Sequence, residues 1–166
     1  VLAVLSRQKS QPIKLEGRLI LVLDGINNPG NLGTIIREAS WFGLTDVVCS
    51  LNTVDIYNPK SLQATMGAVF GVNITYMSLV DFLSSLPQGY NIYGTIVDSK
   101  HNIYQEKLSD EGLIVIGSES HGISKEVREL ITKPLSIPNF SIEQQTESLN
   151  ASIATAIVLS EFKRCE

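Results

Sequence analysis

LIVIGSESHGIS, residues 113–124, is the stretch on which the fold reading turns. Leu113 to Ile116 is an unbroken hydrophobic run, the pattern of a strand buried on both faces of a parallel sheet. Gly117 ends the run, Glu119 is its lone acidic residue, and Gly122 permits a second sharp turn. Ser124 reads as the N-cap of a helix over residues 125–130. In an open α/β sheet, ligands bind just outside the carboxyl ends of the strands. A two-glycine loop carrying one carboxylate at such a place is therefore a candidate binding loop. Taken alone, the same pattern is also a common βα turn in which Glu119 only caps the next helix.

Working outward, strands and helices alternate. Residues 18–24, RLILVLD, read as the first buried strand. Asn28-Pro29 is a cap followed by a first-turn proline, and Leu32, Ile35, Ile36, Ala39 and Phe42 follow at helical spacing until Gly43. Residues 46–49 are a second strand. Asn58-Pro59 repeats the cap signal, with Leu62, Met66, Val69 and Phe70 marking a helical face. Residues 72–77 form a third strand, and Ser78 to Asp81 has capping-box spacing for a helix that ends near Leu86. Residues 91–97 are a fourth strand, followed by a polar turn and a weak helical segment to Leu108. Residues 133–137 are a sixth strand stopped by Pro138. A helix over residues 148–163 closes the chain, with Leu149, Ile153, Ala156, Ile157 and Leu159 inward. This alternation predicts an α/β fold, a mainly parallel six-stranded sheet with helices on both faces.

Composition narrows the function. The 166 residues, 43% hydrophobic, fit one domain with a substantial core. No apolar segment approaches a membrane span, and none reads as a signal peptide. Cys49 and Cys165 lack a CxxC pattern, which argues against zinc and a disulfide framework and leaves a reducing cytoplasm as the simplest setting. Three glycosylation sequons, at Asn73, Asn139 and Asn150, are read as accidental without a secretory signal. The glycine-rich residues 28–34 lack the Walker lysine, and no GxGxxG follows the first strand. The serines have no nucleophile-elbow context. His101 and His121 have no partner pattern for a triad or a metal, and His121 is expected as an exposed loop residue.

Three polar clusters remain, each at a strand-to-helix junction: residues 28–37, 117–122 and 137–150. NNPGNLGTIIREASWFG, IVIGSESHGIS and IP…SLNAS, in that order, resemble the three motifs of the SpoU family, the RNA 2′-O-ribose methyltransferases of the SPOUT superfamily. The resemblance covers most of the chain from Gly17 onward. It implies a C-terminal segment tucked through a loop as a trefoil knot, S-adenosylmethionine bound in that knot, and a homodimer. It places Gly117, Ile137, Leu149, Thr95, Ile116 and Gly122 at cofactor-binding positions. It places Asn31, Arg37, Glu119, Ser148 and Asn150 at the polar positions around the reacting ribose. The motif arginine, here Arg37, has been assigned as a base in the family. A guanidinium, with an ordinary pKa above about 12, is better suited to phosphate binding or alkoxide stabilisation. The alternative for Arg37 is a surface arginine paired with Glu38 or Asp24, and Ser148 and Asn150 also suit the capping of the last helix.

One segment departs from the family pattern. Residues 139–147, NFSIEQQTE, are longer than the usual spacing, lack its glycine and carry Glu143 and Glu147. The expected function is S-adenosylmethionine-dependent 2′-O-methylation of ribosomal or transfer RNA, in the cytoplasm, with no membrane and no metal. The alternatives are a catalytically silent RNA-binding or assembly module and a small-molecule binder using the same pocket. Residues 1–17 read as a lead-in from a longer protein whose N-terminal region is missing, and residues 18–166 as the methyltransferase domain. With 13 basic against 17 acidic residues, the chain alone is expected to grip RNA weakly.

Overall fold

Leu19, Leu21 and Leu23 pack into one hydrophobic cluster and Ile20 and Val22 into another, so the first strand is covered on both faces. The computed structural model describes residues 10–141 and 148–164. Along the chain run β1 (Leu19–Asp24), α1 (Pro29–Trp41), β2 (Asp46–Ser50), α2 (Pro59–Thr65), β3 (Asn73–Met77), α3 (Leu79–Ser84), β4 (Ile92–Thr95), β5 (Gly112–Gly117), α4 (Lys125–Arg128), β6 (Lys133–Leu135) and α5 (Ala151–Arg164). The strands form one sheet in the order β3-β2-β1-β5-β4-β6, and every pairing is parallel. All carboxyl ends therefore lie along one edge. On one face α1 and α5 supply Leu32, Ile35, Ile36, Val158, Leu159 and Phe162. On the other, α3 and α4 supply Leu79, Leu83 and Val127. Ile13 and Leu15, in the polar lead-in, pack against this second cluster, and the Tyr90 hydroxyl donates to Leu15 O over 3.0 Å.

The caps act largely as the sequence indicates. Asn28 Oδ1 accepts from the Gly30 and Asn31 N–H groups, and Asn58 Oδ1 from that of Lys60. Ser124 differs. Its side chain caps nothing, its N–H donates instead to the buried Asp24 carboxylate at 2.7 Å, and α4 is only four residues long.

Three helix readings are corrected by packing. Of the face Leu62, Met66, Val69 and Phe70, only Val69 is buried, because α2 turns its small residues inward. A Cβ on Gly33 of α1 would stand 2.3 Å from Ser61 O, so the two helices approach backbone to side-chain stub, with Ser61 and Thr65 buried. Met66 then adopts the left-handed conformation and ends α2, and a short 3-10 turn follows at Ala68–Phe70. The segment expected as helix to Leu108 is a series of turns, since Ile103 N–H bonds Ser136 O at 3.0 Å rather than a neighbour one turn back. Finally, α5 starts at Ala151, and its buried face is Ala151, Thr155, Val158, Leu159 and Phe162. Leu149 and Ile153, read as inward, are exposed.

Candidate active site

Parallel β5, β4 and β6 are neighbours, and the chain leaving each one builds a common cavity of about 410 Å³. Thr95 closes β4, Ile116 and Gly117 close β5, and Leu135 and Ile137 line the exit from β6. Leu149 and Ser148 reach the cavity from the segment before α5. All six residues assigned to the cofactor from the sequence (Gly117, Ile137, Leu149, Thr95, Ile116 and Gly122) lie in its wall.

The loop after β5 is held in one shape by its backbone. Ser118 N–H donates to Gly122 O at 3.1 Å, and Gly122 N–H returns a bond to Ser118 O at 2.8 Å. This folds residue 122 onto residue 117 so closely that a Cβ on Gly117 would stand 2.1 Å from the Gly122 carbonyl carbon. Gly122 itself sits at φ +66°, where a side chain is strained. Thr95 Oγ1 donates to Val115 O at 3.2 Å, pinning the adjoining strand end.

Three polar residues from distant segments meet beside this loop. Asn31 Nδ2 donates to Glu119 Oε1 in a short hydrogen bond, and Asn150 Nδ2 donates to Asn31 Oδ1 at 3.1 Å. Asn150 Oδ1 in turn accepts from the Ser152 N–H at 3.0 Å and its hydroxyl at 2.8 Å, and so caps α5. One side chain thus starts the last helix and ties it to the first. Glu119 is the single charged residue in the wall of the cavity among the described residues. Ser148 lines the cavity without joining this chain of bonds.

Arg37 lies apart from the cavity wall, on the exposed face of α1. It pairs with neither Glu38 nor Asp24, and no other described residue partners it. Its neighbour Glu38 was not singled out by the sequence. Glu38 Oε2 is buried without a hydrogen-bond partner among the described residues, and burial pushes its carboxyl up to about 7. Position 38 stands two turns from Asn31 on nearly the same helical face, which an amphipathic reading of α1 could have flagged. His121 is exposed, its Nδ1 within 2.7 Å of Ser120 Oγ, and His101 pairs with Glu106 at 2.8 Å. No cluster of three or more His, Cys, Asp or Glu suited to a metal is present among the described residues. No described helix is long and apolar enough to cross a membrane.

A parallel α/β sheet with an apolar cavity and a carboxylate–amide cluster at its carboxyl edge defines a ligand-binding α/β domain with the site where that class carries it. Residues 18–160 match the model of the SpoU rRNA methylase family, and the chain belongs to that family. It is 31% identical over 147 residues to the 23S rRNA (guanosine(2553)-2′-O)-methyltransferase RlmP of Bacillus subtilis, covering 88% of this chain and 58% of that one. Among solved structures, the AdoMet-bound rRNA methyltransferase of Sinorhizobium meliloti superposes with a TM-score of 0.86 at 29% identity, over 95% of this chain and 62% of that one. A Porphyromonas gingivalis protein assigned to the TrmH family of RNA methyltransferases gives 0.84 at 41% identity, over 90% and 60%. The chain therefore spans about three fifths of the length of the relatives it matches.

Proposed function

We propose that this chain transfers a methyl group from S-adenosylmethionine to a ribose 2′-oxygen of structured RNA, ribosomal or transfer. The observation that carries the reading is the bonded series Glu119–Asn31–Asn150 beside the cavity, which joins all three polar clusters of the sequence. The cavity suits the cofactor in size, since ligand pockets run from about 300 to 1,000 Å³. It suits it in chemistry too: the wall is largely apolar, and its one charged group among the described residues is a carboxylate, complementary to a cationic ligand.

When bound, S-adenosylmethionine supplies a methyl group already activated by its positively charged sulfur. The protein's part is alignment and charge. The Gly117–Gly122 backbone, with Thr95, Ile116, Ile137 and Leu149, holds the cofactor. Asn31, itself held by Asn150, fixes the Glu119 carboxylate, and these groups orient the incoming ribose together with Ser148. Arg37, without a partner among the described residues, takes a phosphate or the negative charge that develops as the 2′-hydroxyl loses its proton. Holding two reactants in line is the larger share of such catalysis.

The reading extends to a trefoil knot, a homodimer and a cytoplasmic setting. For the knot, the chain leaves the sheet at the outer strand β6 and returns to α1 through Asn150, while the loop after β4 is stitched to Leu135 and Ser136. For the dimer, Trp41, Leu149 and Ile153 stand exposed on the α1 and α5 side. Calorimetry with S-adenosylmethionine and S-adenosylhomocysteine tests the cofactor, and a map of ribose methylations lost on gene deletion tests the RNA. Absence of binding at millimolar ligand would leave the silent RNA-binding module instead.

A further inference from the structure

Ile96 lines two cavities, the one described above and a second of about 380 Å³. The second lies between the loop that follows β4 and the end of α4. Its floor is apolar, from Ile96, Ile131 and Pro134, and its walls carry Lys100, Arg128 and Asp98. Lys100 and Arg128 are both exposed, and neither has a partner among the described residues. This contrasts with Arg18, paired with Asp46, and with Arg164, paired with Glu161. In a chain with a formal charge of −4, two cations without partners among the described residues, set against the single Asp98 carboxylate, leave a net positive charge at this concave site.

The site is built rather than accidental to a loose loop. Ile96 N–H bonds Leu135 O at 2.8 Å, Ser99 Oγ donates to Pro134 O at 3.3 Å, and Ser136 N–H donates to His101 O at 2.8 Å. Lys100 is thus presented by a backbone stitched to β6 on both sides. Arg128 comes from the last turn of α4, and Gly94 beneath lets Ile131 lie directly on β4, where a Cβ would meet its Cδ1 at 2.2 Å.

We infer that this second cavity holds one nucleotide of the substrate RNA chain, an inference that rests on the methyltransferase reading above. Lys100 and Arg128 take its phosphate, Arg128 with the planar fork suited to two phosphate oxygens. The Ile131 and Pro134 surface takes a face of the base, and the Asp98 carboxylate accepts from a ribose hydroxyl or an exocyclic amine. Ile96 borders both cavities, so RNA that presents its ribose on the α5 side of the sheet continues around the loop after β4 to reach this one on the α4 side.

The test uses the full chain, a single-stranded RNA of mixed sequence as probe, and the double variant Lys100→Ala/Arg128→Ala. Losing the grip on that one phosphate is expected to weaken RNA binding about tenfold and to lower the slope of log affinity against log salt by about 0.7. Affinity for S-adenosylhomocysteine stays at the wild-type value. In the wild-type chain the methyl resonances of Ile131 are expected to shift on RNA addition. Unchanged RNA affinity and salt slope in the double variant, with RNA and S-adenosylhomocysteine both bound by wild type, overturn this inference and leave the methyltransferase reading standing. Wild-type protein that binds neither ligand overturns both. If uridine 5′-monophosphate shifts Ile131 and RNA does not, the cavity takes a free nucleotide, and the inference also fails.

Discussion

Asn150 Nδ2 donates to Asn31 Oδ1 at 3.1 Å, across 119 positions of sequence, while the same Asn150 side chain caps α5 through its oxygen. The two jobs use opposite ends of one amide and can be separated. Asn150→Asp keeps the capping oxygen and replaces the donor by an acceptor facing Asn31 Oδ1. Its thermal stability should stay near wild type, whereas Asn150→Ala should lose about 1 kcal/mol with the cap. Both should slow methyl transfer at least tenfold in single-turnover assays. An aspartate variant at full rate would mean that the Asn31 contact is only structural.

Arg37→Lys should abolish methyl transfer and leave affinity for S-adenosylhomocysteine nearly intact. Lysine keeps the charge and loses the planar fork, and the residue lies outside the cavity wall. Calorimetry beside a transfer assay separates the two effects. A variant retaining most of the wild-type rate would make Arg37 a surface charge.

The two glycines of the β5 loop should respond differently to alanine. At Gly122 a Cβ meets nothing within 4 Å, and only the left-handed backbone resists, at about 1 kcal/mol. At Gly117 the new atom is driven into backbone at 2.1 Å, so the loop must open. Gly117→Ala should cost about 1–3 kcal/mol and the larger share of cofactor affinity. Denaturant melts with and without S-adenosylhomocysteine would show the ranking, and equal losses at the two positions would contradict it.

Glu38 should make stability fall with pH. Its folded pKa is about 7 against an ordinary 4.5, the cause being desolvation. Between those values the folded state binds the extra proton, so stability is greatest below about pH 4.5 and declines until the carboxyl ionises near 7. Glu38→Gln removes this component. Melting temperatures of variant and wild type should therefore diverge as pH rises from 5 to 8, roughly the interval over which Glu38 ionises, with the glutamine form the more stable at the alkaline end. Parallel curves would place Glu38 in contact with water.

Trp41 is the single tryptophan of the chain and is 83% exposed. If the α1 and α5 face joins two copies, its emission should shift to the blue as concentration rises, in step with a doubling of mass by light scattering. A monomer at micromolar concentration with constant emission would remove the homodimer.

The sequence by itself determined the sheet, the caps at Asn28 and Asn58, and the two-glycine loop. Each of these is fixed by residues close in sequence: an apolar run long enough for a strand, an amide next to a first-turn proline, a backbone that only glycine can follow. Through the resemblance of its three ordered motifs it also named residues that line the cavity at β4, β5 and β6 and the amides around Glu119. The tertiary structure decided what depends on neighbours far along the chain. Strand order, and so which loops share a cavity, is set by pairing between β5, β4 and β6. The inward face of α2 carries Ser61 and Thr65 because α1 closes on α2 at Gly33, against Ser61 O and Ala64, which no helical period reveals. Ser124 gave up its cap to the packing of Asp24, 100 positions away. Helical spacing places Glu38 on the Asn31 side of α1 but says nothing of its carboxyl lacking a partner among the described residues, and the cavity between Lys100 and Arg128 has no local signature at all. Burial and proximity are properties of the folded surface, and periodicity along one helix carries neither.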